Sequence, residues 1–154
     1  MARRQTFIPA LSYQDPVAAL KWLERAFGFE TAILIMGRSG EYRVDEFHAQ
    51  MRHGDGVVMI GGEWNESHKS PRSAGGITTQ TVHVHLEEDI DAHCARARAT
   101  GATILDEPSD QFYGDRTYRA QDLEGHIWTF GQTVRQVSRE EAEQASGLKI
   151  EGWV

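Results

Sequence analysis

The sequence predicts an α+β fold made of two βαβββ repeats. Two observations support this prediction. The order strand, helix, strand, strand, strand occurs twice along the 154 residues. Glycines also recur at similar intervals: Gly28 and Gly101, which end the two predicted helices, lie 73 residues apart, and Gly56 and Gly125, which precede the last strand of each half, lie 69 apart. Repetition of a whole pattern at this length indicates a duplicated architecture.

The first repeat begins with the short apolar run 7–11, which predicts a strand. A helix is predicted to begin at Asp15-Pro16. The Asp15 side chain can accept an N–H of the first turn, and proline is tolerated at the first helical position because the N–H that it lacks has no partner there. Its apolar face is marked by residues at helical spacing, Val17, Leu20, Leu23 and Phe27. Gly28 can adopt the left-handed conformation that ends a helix. Three more strands are predicted at 31–36, 47–52 and 57–60.

The second repeat follows the same order. A strand is predicted at 79–86, and a helix follows whose apolar face carries Ile90, Cys94 and Ala97. Three further strands are predicted at 102–105, 116–120 and 126–130. Ser138 and Glu141 have the spacing of a capping box, which predicts a short helix near the end of the sequence.

The expected organisation is one domain followed by a helix and a tail. The predicted bounds are 7–132 for the domain (7–62 for the first unit, 63–78 for a loop, 79–132 for the second unit) and 133–154 for the rest. The stretch 61–78 is rich in glycine and serine and long for a connection, so it is either a functional cover or disordered. The apolar Trp153-Val154 either docks on the body or on a partner subunit, or frays.

Composition excludes several classes of protein. With 16 Lys and Arg against 23 Asp and Glu, the net charge is −7, which disfavours nucleic-acid binding because phosphates need a basic surface. Cys94 is the only cysteine, so neither an internal disulfide nor a cysteine-based zinc site can form. No apolar run reaches the ~20 residues of a membrane span, and the N-terminal sequence lacks the apolar core of a secretion signal. We expect a cytoplasmic protein.

Two segments resemble a known family. The second half carries Gly114-Asp115-Arg116, Tyr118, Asp122, Glu124-Gly125-His126, Trp128 and Phe130, and the first half carries Ser12-Tyr13-Gln14-Asp15 followed by Ala19, Trp22, Leu23 and Ala26-Phe27-Gly28-Phe29. Together these resemble the vicinal oxygen chelate superfamily, which includes glyoxalase I, extradiol dioxygenases, fosfomycin-resistance enzymes and bleomycin-binding resistance proteins. The resemblance implies that each unit forms a curved mixed sheet, a half-barrel around a cavity with its helix outside.

The resemblance also implies where a metal would bind. In the metal-dependent members, the first and last strands of each unit provide one ligand each, and these positions correspond to Ile8, Ile60, Thr81 and Thr129. Aliphatic side chains and neutral hydroxyls are poor ligands for iron, nickel or zinc. A shift of one residue would introduce only Gln80 as a possible ligand. We therefore expect no metal and no other cofactor.

The candidate ligand-binding residues lie on the predicted cavity wall or at its mouth. Thr81, His83 and His85 alternate along one strand and share a face, so both histidines point to the cavity if Thr81 does. The other candidates are Ile60, Trp64, Phe112, Tyr113, Arg116, Tyr118 and Thr129. Each has a structural alternative: rim hydrogen bonding for the histidines, packing at a loop base for the aromatic residues, and loop anchoring on Asp115 or Asp122 for Arg116.

Three hypotheses for the function remain open at this stage. The first is a metal-independent protein of the glyoxalase and bleomycin-resistance type that sequesters an aromatic or cationic small molecule. We expect it to be a homodimer, with subunits side by side or exchanging units. The second is a lyase, isomerase or dioxygenase that uses a displaced metal at His83 or His85, with Glu63, His48 or His126 as a further ligand. The third is an interaction module without a ligand.

Overall fold

The computed structural model describes residues 4–154. Its first repeat contains β1 (Ala10–Tyr13), α1 (Pro16–Phe27), β2 (Glu30–Ile35), β3 (His48–His53) and β4 (Gly56–Gly62). Its second repeat contains β5 (Thr81–His85), α2 (Ile90–Ala99), β6 (Thr103–Asp110), β7 (Asp115–Gln121) and β8 (Ile127–Thr133). A short 3₁₀ turn at Pro71–Ser73 lies between the repeats, and α3 (Arg139–Ser146) follows them. Residues 1–3, part of the N-terminal sequence considered above as a secretion signal, lie outside the described residues.

Two four-stranded mixed sheets confirm the predicted fold class. The strand orders are β1-β4-β3-β2 and β5-β8-β7-β6, so the second repeat reproduces the topology of the first. In each sheet the first and last strands of the repeat pair in parallel and the other pairs are antiparallel. The parallel pair brings Leu11 opposite Ile60 in the first sheet and His83 opposite Thr129 in the second.

The first strand starts three residues later than the sequence predicts. Phe7 is 86% exposed, and β1 begins only at Ala10. The segment before it is held largely by a side chain, because the Gln5 amide bonds to both the N–H and the carbonyl of Val57, at 2.7 and 3.1 Å. The apolar run 7–11 therefore includes residues that lie beside the sheet, and the strand itself begins only after Pro9.

The helix boundaries follow from side-chain and backbone chemistry that the sequence shows. Asp15 accepts the N–H of Ala18 at 3.0 Å, and Gly28 has φ +74° at the end of α1. Arg96 of α2 then donates to the carbonyls of Glu24 and Arg25, at 2.9 and 2.7 Å. A cation at the last carbonyls of a helix is favoured by the helix dipole. The second repeat thus caps the helix of the first.

The core joins the repeats through aromatic packing at the end of α1. The Phe27 ring centroid lies 4.8 Å from that of Phe130 and 5.8 Å from that of Trp128, and the Phe29 ring lies 5.3 Å from the Trp128 ring. Trp128, which the sequence analysis favoured as a core residue, is 1% exposed. The packed face of the second sheet therefore rests partly on α1 of the first repeat.

A buried carboxylate gives the most direct polar link between the repeats. Asp122 is 7% exposed and accepts hydrogen bonds from the Tyr13 hydroxyl at 2.6 Å, the Trp128 indole N–H at 3.0 Å, and the backbone N–H groups of Glu124 and His126 at 3.0 Å each. Burial and the neighbouring carboxylate raise the pKa of Tyr13, so its phenol stays protonated as a donor.

Glu124 makes a second link across the same boundary. It is 3% exposed and accepts the backbone N–H of Gln14 at 2.7 Å, that of Asp15 at 3.0 Å, and the Ser70 hydroxyl at 2.6 Å. The sequence predicts that the acids of this turn cap it and keep it solvated. Asp122 does cap the turn, but the two carboxylates are buried between the repeats rather than solvated.

Replacing Asp122 with alanine should destabilise the fold strongly. The substitution leaves the Tyr13 hydroxyl, the Trp128 N–H and two backbone N–H groups without their acceptor, and we expect a loss of about 3 kcal/mol or more in the free energy of unfolding. Urea unfolding measures it. The matched control is Asp106→Ala, which removes an exposed ion pair to Arg119 and should cost less than about 1 kcal/mol. Equal losses in the two variants would contradict the role of the buried carboxylate.

Stability should also depend on pH through His93 of α2. Its Nε2–H donates to the Phe27 carbonyl at 2.9 Å, so its Nδ1 accepts from the Tyr118 hydroxyl at 2.5 Å, and burial lowers the pKa of the ring below the ordinary 6.5. The unfolded chain then binds the proton more readily, and stability falls as the pH drops below about 6.5.

His93→Gln cannot titrate, so its urea midpoint should change less between pH 7 and pH 5 than that of the unaltered protein. The same pH dependence in both proteins would show that His93 does not contribute to it.

Candidate functional site

The second sheet has one packed face and one open face. Val82, Val84, Trp128 and Phe130 lie on the packed side, and the alternating residues of the same strands lie on the open side. The pairing of His83 with Thr129, and of Thr129 with Arg119, aligns one residue from each of β5, β8 and β7 across this open face. Thr81 and His85 are exposed on the same side of β5.

A groove of about 260 Å³ runs along this open face and is named the second-sheet groove. Tyr118, which is only 1% exposed, borders it. The other lining residues are His83, Asp106, Ser109, Gln111, Tyr113, Thr117, Arg119 and Thr129. Arg119 and Asp106 form an ion pair at 3.4 Å, and the Gln111 amide donates to the Thr117 hydroxyl at 3.1 Å. The groove thus offers an imidazole, hydroxyls and a charged pair beside one aromatic ring, a set suited to binding a polar organic molecule.

A second recess, the seam cleft, lies between the β3–β4 turn and the free edge of β5. Its volume is about 260 Å³. Phe29 and Trp128 contribute aromatic surface, and His53, His83 and His85 contribute imidazoles. His83 therefore borders both the seam cleft and the second-sheet groove.

A third recess of about 400 Å³ covers the open face of the first sheet and is named the first-sheet groove. Trp64 and His68 reach it from the long connection, with ring centroids 4.3 Å apart, and His48 and Met59 line it from the strands. The connection is anchored to the last turn of the second repeat by Ser70, whose hydroxyl donates to the Glu124 carboxylate at 2.6 Å. The stretch predicted as a cover or a disordered loop is therefore tied to the body.

Ile60, predicted to line the cavity, borders the first-sheet groove, but its side chain is not exposed there. It is fully buried opposite Leu11 on the packed face of the first sheet. The prediction counted four residues from the turn glycine in each half. In β8 the fourth residue after Gly125 is Thr129, which lies on the open face. In β4 the glycine is itself the first strand residue and lies on the packed side, so the fourth residue after Gly56 lies in the core. Met59 occupies the open side instead.

Arg116 and Tyr118, predicted as ligand-binding side chains, are both engaged within the fold, although Tyr118 also borders the second-sheet groove. Arg116 forms ion pairs with Asp91 of α2 at 2.9 Å and Asp110 of β6 at 3.1 Å, and the anchoring alternative had named other partners. Tyr118 is 1% exposed, its hydroxyl bonds to His93, and burial raises its pKa. The two residues do share a face, as predicted, but it is the packed face.

The remaining candidates fall into separate recesses. His83, Thr129 and Tyr113 share the second-sheet groove, and Trp64 belongs to the first-sheet groove. Phe112 lies with Tyr113 at a further cleft beside the end of the chain described here.

Thr117 and Arg119 lie in the second-sheet groove but were not among the predicted site residues. The alternation of β7 could have found them, because they flank Tyr118 and so point away from the core if Tyr118 points into it.

The donor set at the positions of the family's metal ligands does not fit a divalent transition metal. Thr81 and Thr129 offer neutral hydroxyls, and Ile60 is in the core. Within residues 4–154, no three His, Cys, Asp or Glu side chains are grouped so as to hold a metal ion. The further ligands considered above are partly engaged: His126 donates to the Ser12 carbonyl at 2.7 Å, and Glu63 accepts a backbone N–H within its own loop.

Across residues 4–154, the helices are too short or too polar to cross a lipid bilayer.

The twin βαβββ units with open grooves define a class of duplicated, cavity-forming α+β proteins. Residues 8–130 match the profile of the Glyoxalase/Bleomycin resistance protein/Dioxygenase superfamily. The chain belongs to this superfamily, as its resemblance to the vicinal oxygen chelate proteins implied.

Similar proteins include an uncharacterized protein of Mycobacterium bovis, 30% identical over 148 residues that cover 94% of this chain and 93% of that protein. Among solved structures, TioX from Micromonospora sp. ML1 is 33% identical, with a TM-score of 0.64 over 84% of this chain and 99% of the other. TnmS3, an antibiotic binding protein from Streptomyces sp. CB03234, is 18% identical, with a TM-score of 0.61 over 86% and 98%, and shares the fold.

Proposed function

We propose that this protein binds a small organic molecule and sequesters it without metal and without chemical conversion. The observation that carries the proposal is the second-sheet groove. It gathers an imidazole, two threonine hydroxyls and the Arg119–Asp106 pair on an open sheet face, at the place where metal-dependent relatives would need ligands that this chain lacks.

The expected ligand is aromatic or cationic. Tyr113 gives the groove an aromatic end, and the net charge of −7 attracts cations over a distance. The fold itself is compatible with sequestration, because the similarly folded TnmS3 is an antibiotic binding protein. A cytoplasmic location stays a prediction, and the single cysteine agrees with it.

We also propose that two copies of the chain associate and complete the cavity between them. Edge strand β2 exposes three consecutive large apolar residues, Ile33, Leu34 and Ile35, at 43%, 49% and 49%. Apolar surface of this kind on a sheet edge favours association with another chain. Ile35 lies opposite His48, next to the first-sheet groove, so a second copy seated here would cover that groove.

Ligand binding should be detected as thermal stabilisation of the metal-free protein. We expect at least one member of a panel of aromatic and cationic antibiotics, bleomycin included, to raise the Tm after treatment with EDTA, since a ligand stabilises the folded state in proportion to RT ln(1 + [L]/Kd). Thr129→Trp should weaken that binding at least tenfold by filling the second-sheet groove, as measured by calorimetric titration. The exposed Thr79→Trp is the matched control and should bind normally.

Two results would contradict this proposal. Stabilisation only in the presence of a divalent metal, with one ion held per chain, would favour the lyase, isomerase or dioxygenase. No stabilisation by any compound would favour an interaction module.

A dimer should appear in sedimentation equilibrium at twice the chain mass of 17.3 kDa. Ile35→Glu places a charge on the apolar edge and should shift the mass toward that of one chain. Leu148→Glu, at a residue 57% exposed beyond α3, is the matched control and should sediment as the unaltered protein does. A single-chain mass for the unaltered protein at tens of micromolar would rule out the proposed association.

A further inference from the structure

The segment after β8 lies outside the residues that match the superfamily, yet it packs against the second repeat. The Trp153 indole N–H donates to the Val137 carbonyl at 3.0 Å. Arg139 donates to the Ile150 carbonyl at 3.1 Å, and the Ile150 N–H donates to the Glu143 carboxylate at 3.1 Å. Residues 150–153 are therefore folded back to the start of α3.

The same segment is attached to the turn between β6 and β7. The N–H groups of Val134 and Arg135 both donate to the Gly114 carbonyl, at 3.0 and 3.2 Å. Gly114 has φ +102°, and a Cβ at this position would overlap the Arg135 carbonyl. A glycine is required here both by the backbone conformation and by the close approach of the segment. This contact places the segment beside Phe112 and Tyr113.

Between the segment and the turn lies a cleft of about 800 Å³, named the distal cleft. Three aromatic side chains line it, Phe112, Tyr113 and Trp153, together with the aliphatic Val137 and Ile150. Tyr113 and Trp153 are 37% and 42% exposed, so both rings have surface free for contact.

The charges in the distal cleft leave the aromatic rings as its main means of recognition. Asp115 and Arg135 carry opposite charges on its wall, and the Asp115 carboxylate already accepts the Thr133 hydroxyl at 2.8 Å. The donor of Trp153 is also engaged, so its ring offers its π surface and not a hydrogen bond. Flat aromatic ligands match this arrangement, because offset stacking and edge contacts between rings are favourable.

We propose that the distal cleft is a binding subsite for a flat, fused-ring aromatic group, with Trp153 as its main contact. Tyr113 borders both this cleft and the second-sheet groove, so an elongated ligand would lie with its polar part along β5, β7 and β8 and its aromatic end against Trp153. The inference rests on the proposed binding function and assigns it a ligand class and a second subsite.

Thioflavin T, a flat benzothiazole dye whose fluorescence rises when it is held rigidly, is a suitable probe. Titrated into the full chain, it should bind at one site that depends on Trp153. Trp153→Ala should weaken binding at least tenfold, whereas Trp153→Phe, which keeps a ring but loses the indole hydrogen bond, should stay within about threefold. Phe7→Ala removes an aromatic ring that is 86% exposed and borders none of the recesses described above, so it should leave dye binding unchanged.

Three results would overturn the inference: no dye binding, binding that Trp153→Ala leaves intact, or equal weakening by Trp153→Phe and Trp153→Ala. The last would show that the indole hydrogen bond only positions the segment. Circular dichroism checks that each variant is folded. Thr129→Trp separates this inference from the proposed function. If antibiotic binding is lost in Thr129→Trp but is unaffected by Trp153→Ala, the second-sheet groove is the binding site and the distal cleft is not a subsite.

Discussion

The buried carboxylate of Asp122 is the interaction on which the rest of this structure depends. A single side chain accepts two backbone N–H groups of its own turn, the indole of Trp128 in the second repeat, and the phenol of Tyr13 in the first. A buried charge is tolerated only when such bonds replace its hydration. The network therefore requires the two repeats to meet in one orientation, and it keeps the start of α1 next to the last turn of the second repeat.

This orientation decides which surfaces are available for binding. Phe27 at the end of α1 rests on Phe130, so the packed face of the second sheet is partly covered by the helix of the first repeat. The opposite face of the second sheet stays open, and His83, Thr129 and Arg119 line up across it. The second-sheet groove is thus a consequence of how the repeats are joined, and the residues that join them are not the residues that line it.

Much of the fold could be predicted from the sequence because its signals are local. Asp15, Gly28 and the Ser138–Glu141 capping box act on neighbouring backbone groups, and all three appear in the structure as expected. The repeated pattern was visible for the same reason, since each strand and each turn glycine shows its character within a few residues. The start of β1 was harder to predict, because the Gln5 side chain, and not strand pairing, holds the segment before it to the backbone of Val57.

The candidate site was harder to predict because it depends on which face each strand residue takes. Thr129 lies on the open face of its sheet and Ile60 on the packed face, although both were found by the same count from a glycine. Counted from the turn glycine, the packed and open positions of β4 are shifted by one residue relative to those of β8, and only pairing across the sheet reveals this shift. Arg116 and Glu124 carry a further lesson. Asp91 lies 25 residues from Arg116 and Gln14 lies 110 residues from Glu124, and no local pattern identifies partners so distant.

The outer strand of the second sheet also bears on how copies of this chain can associate. β6 contains Pro108, which has no N–H to offer a neighbouring strand, and its pairing with β7 shifts register at two points. Such an edge resists the addition of a further strand. Growth that joined β2 of one molecule to β6 of the next would therefore be blocked, whereas contact between two β2 strands is symmetric and ends at a pair. Pro108 and the register shifts of β6 thus disfavour one route to open-ended, fibre-like assembly, the joining of β2 to β6.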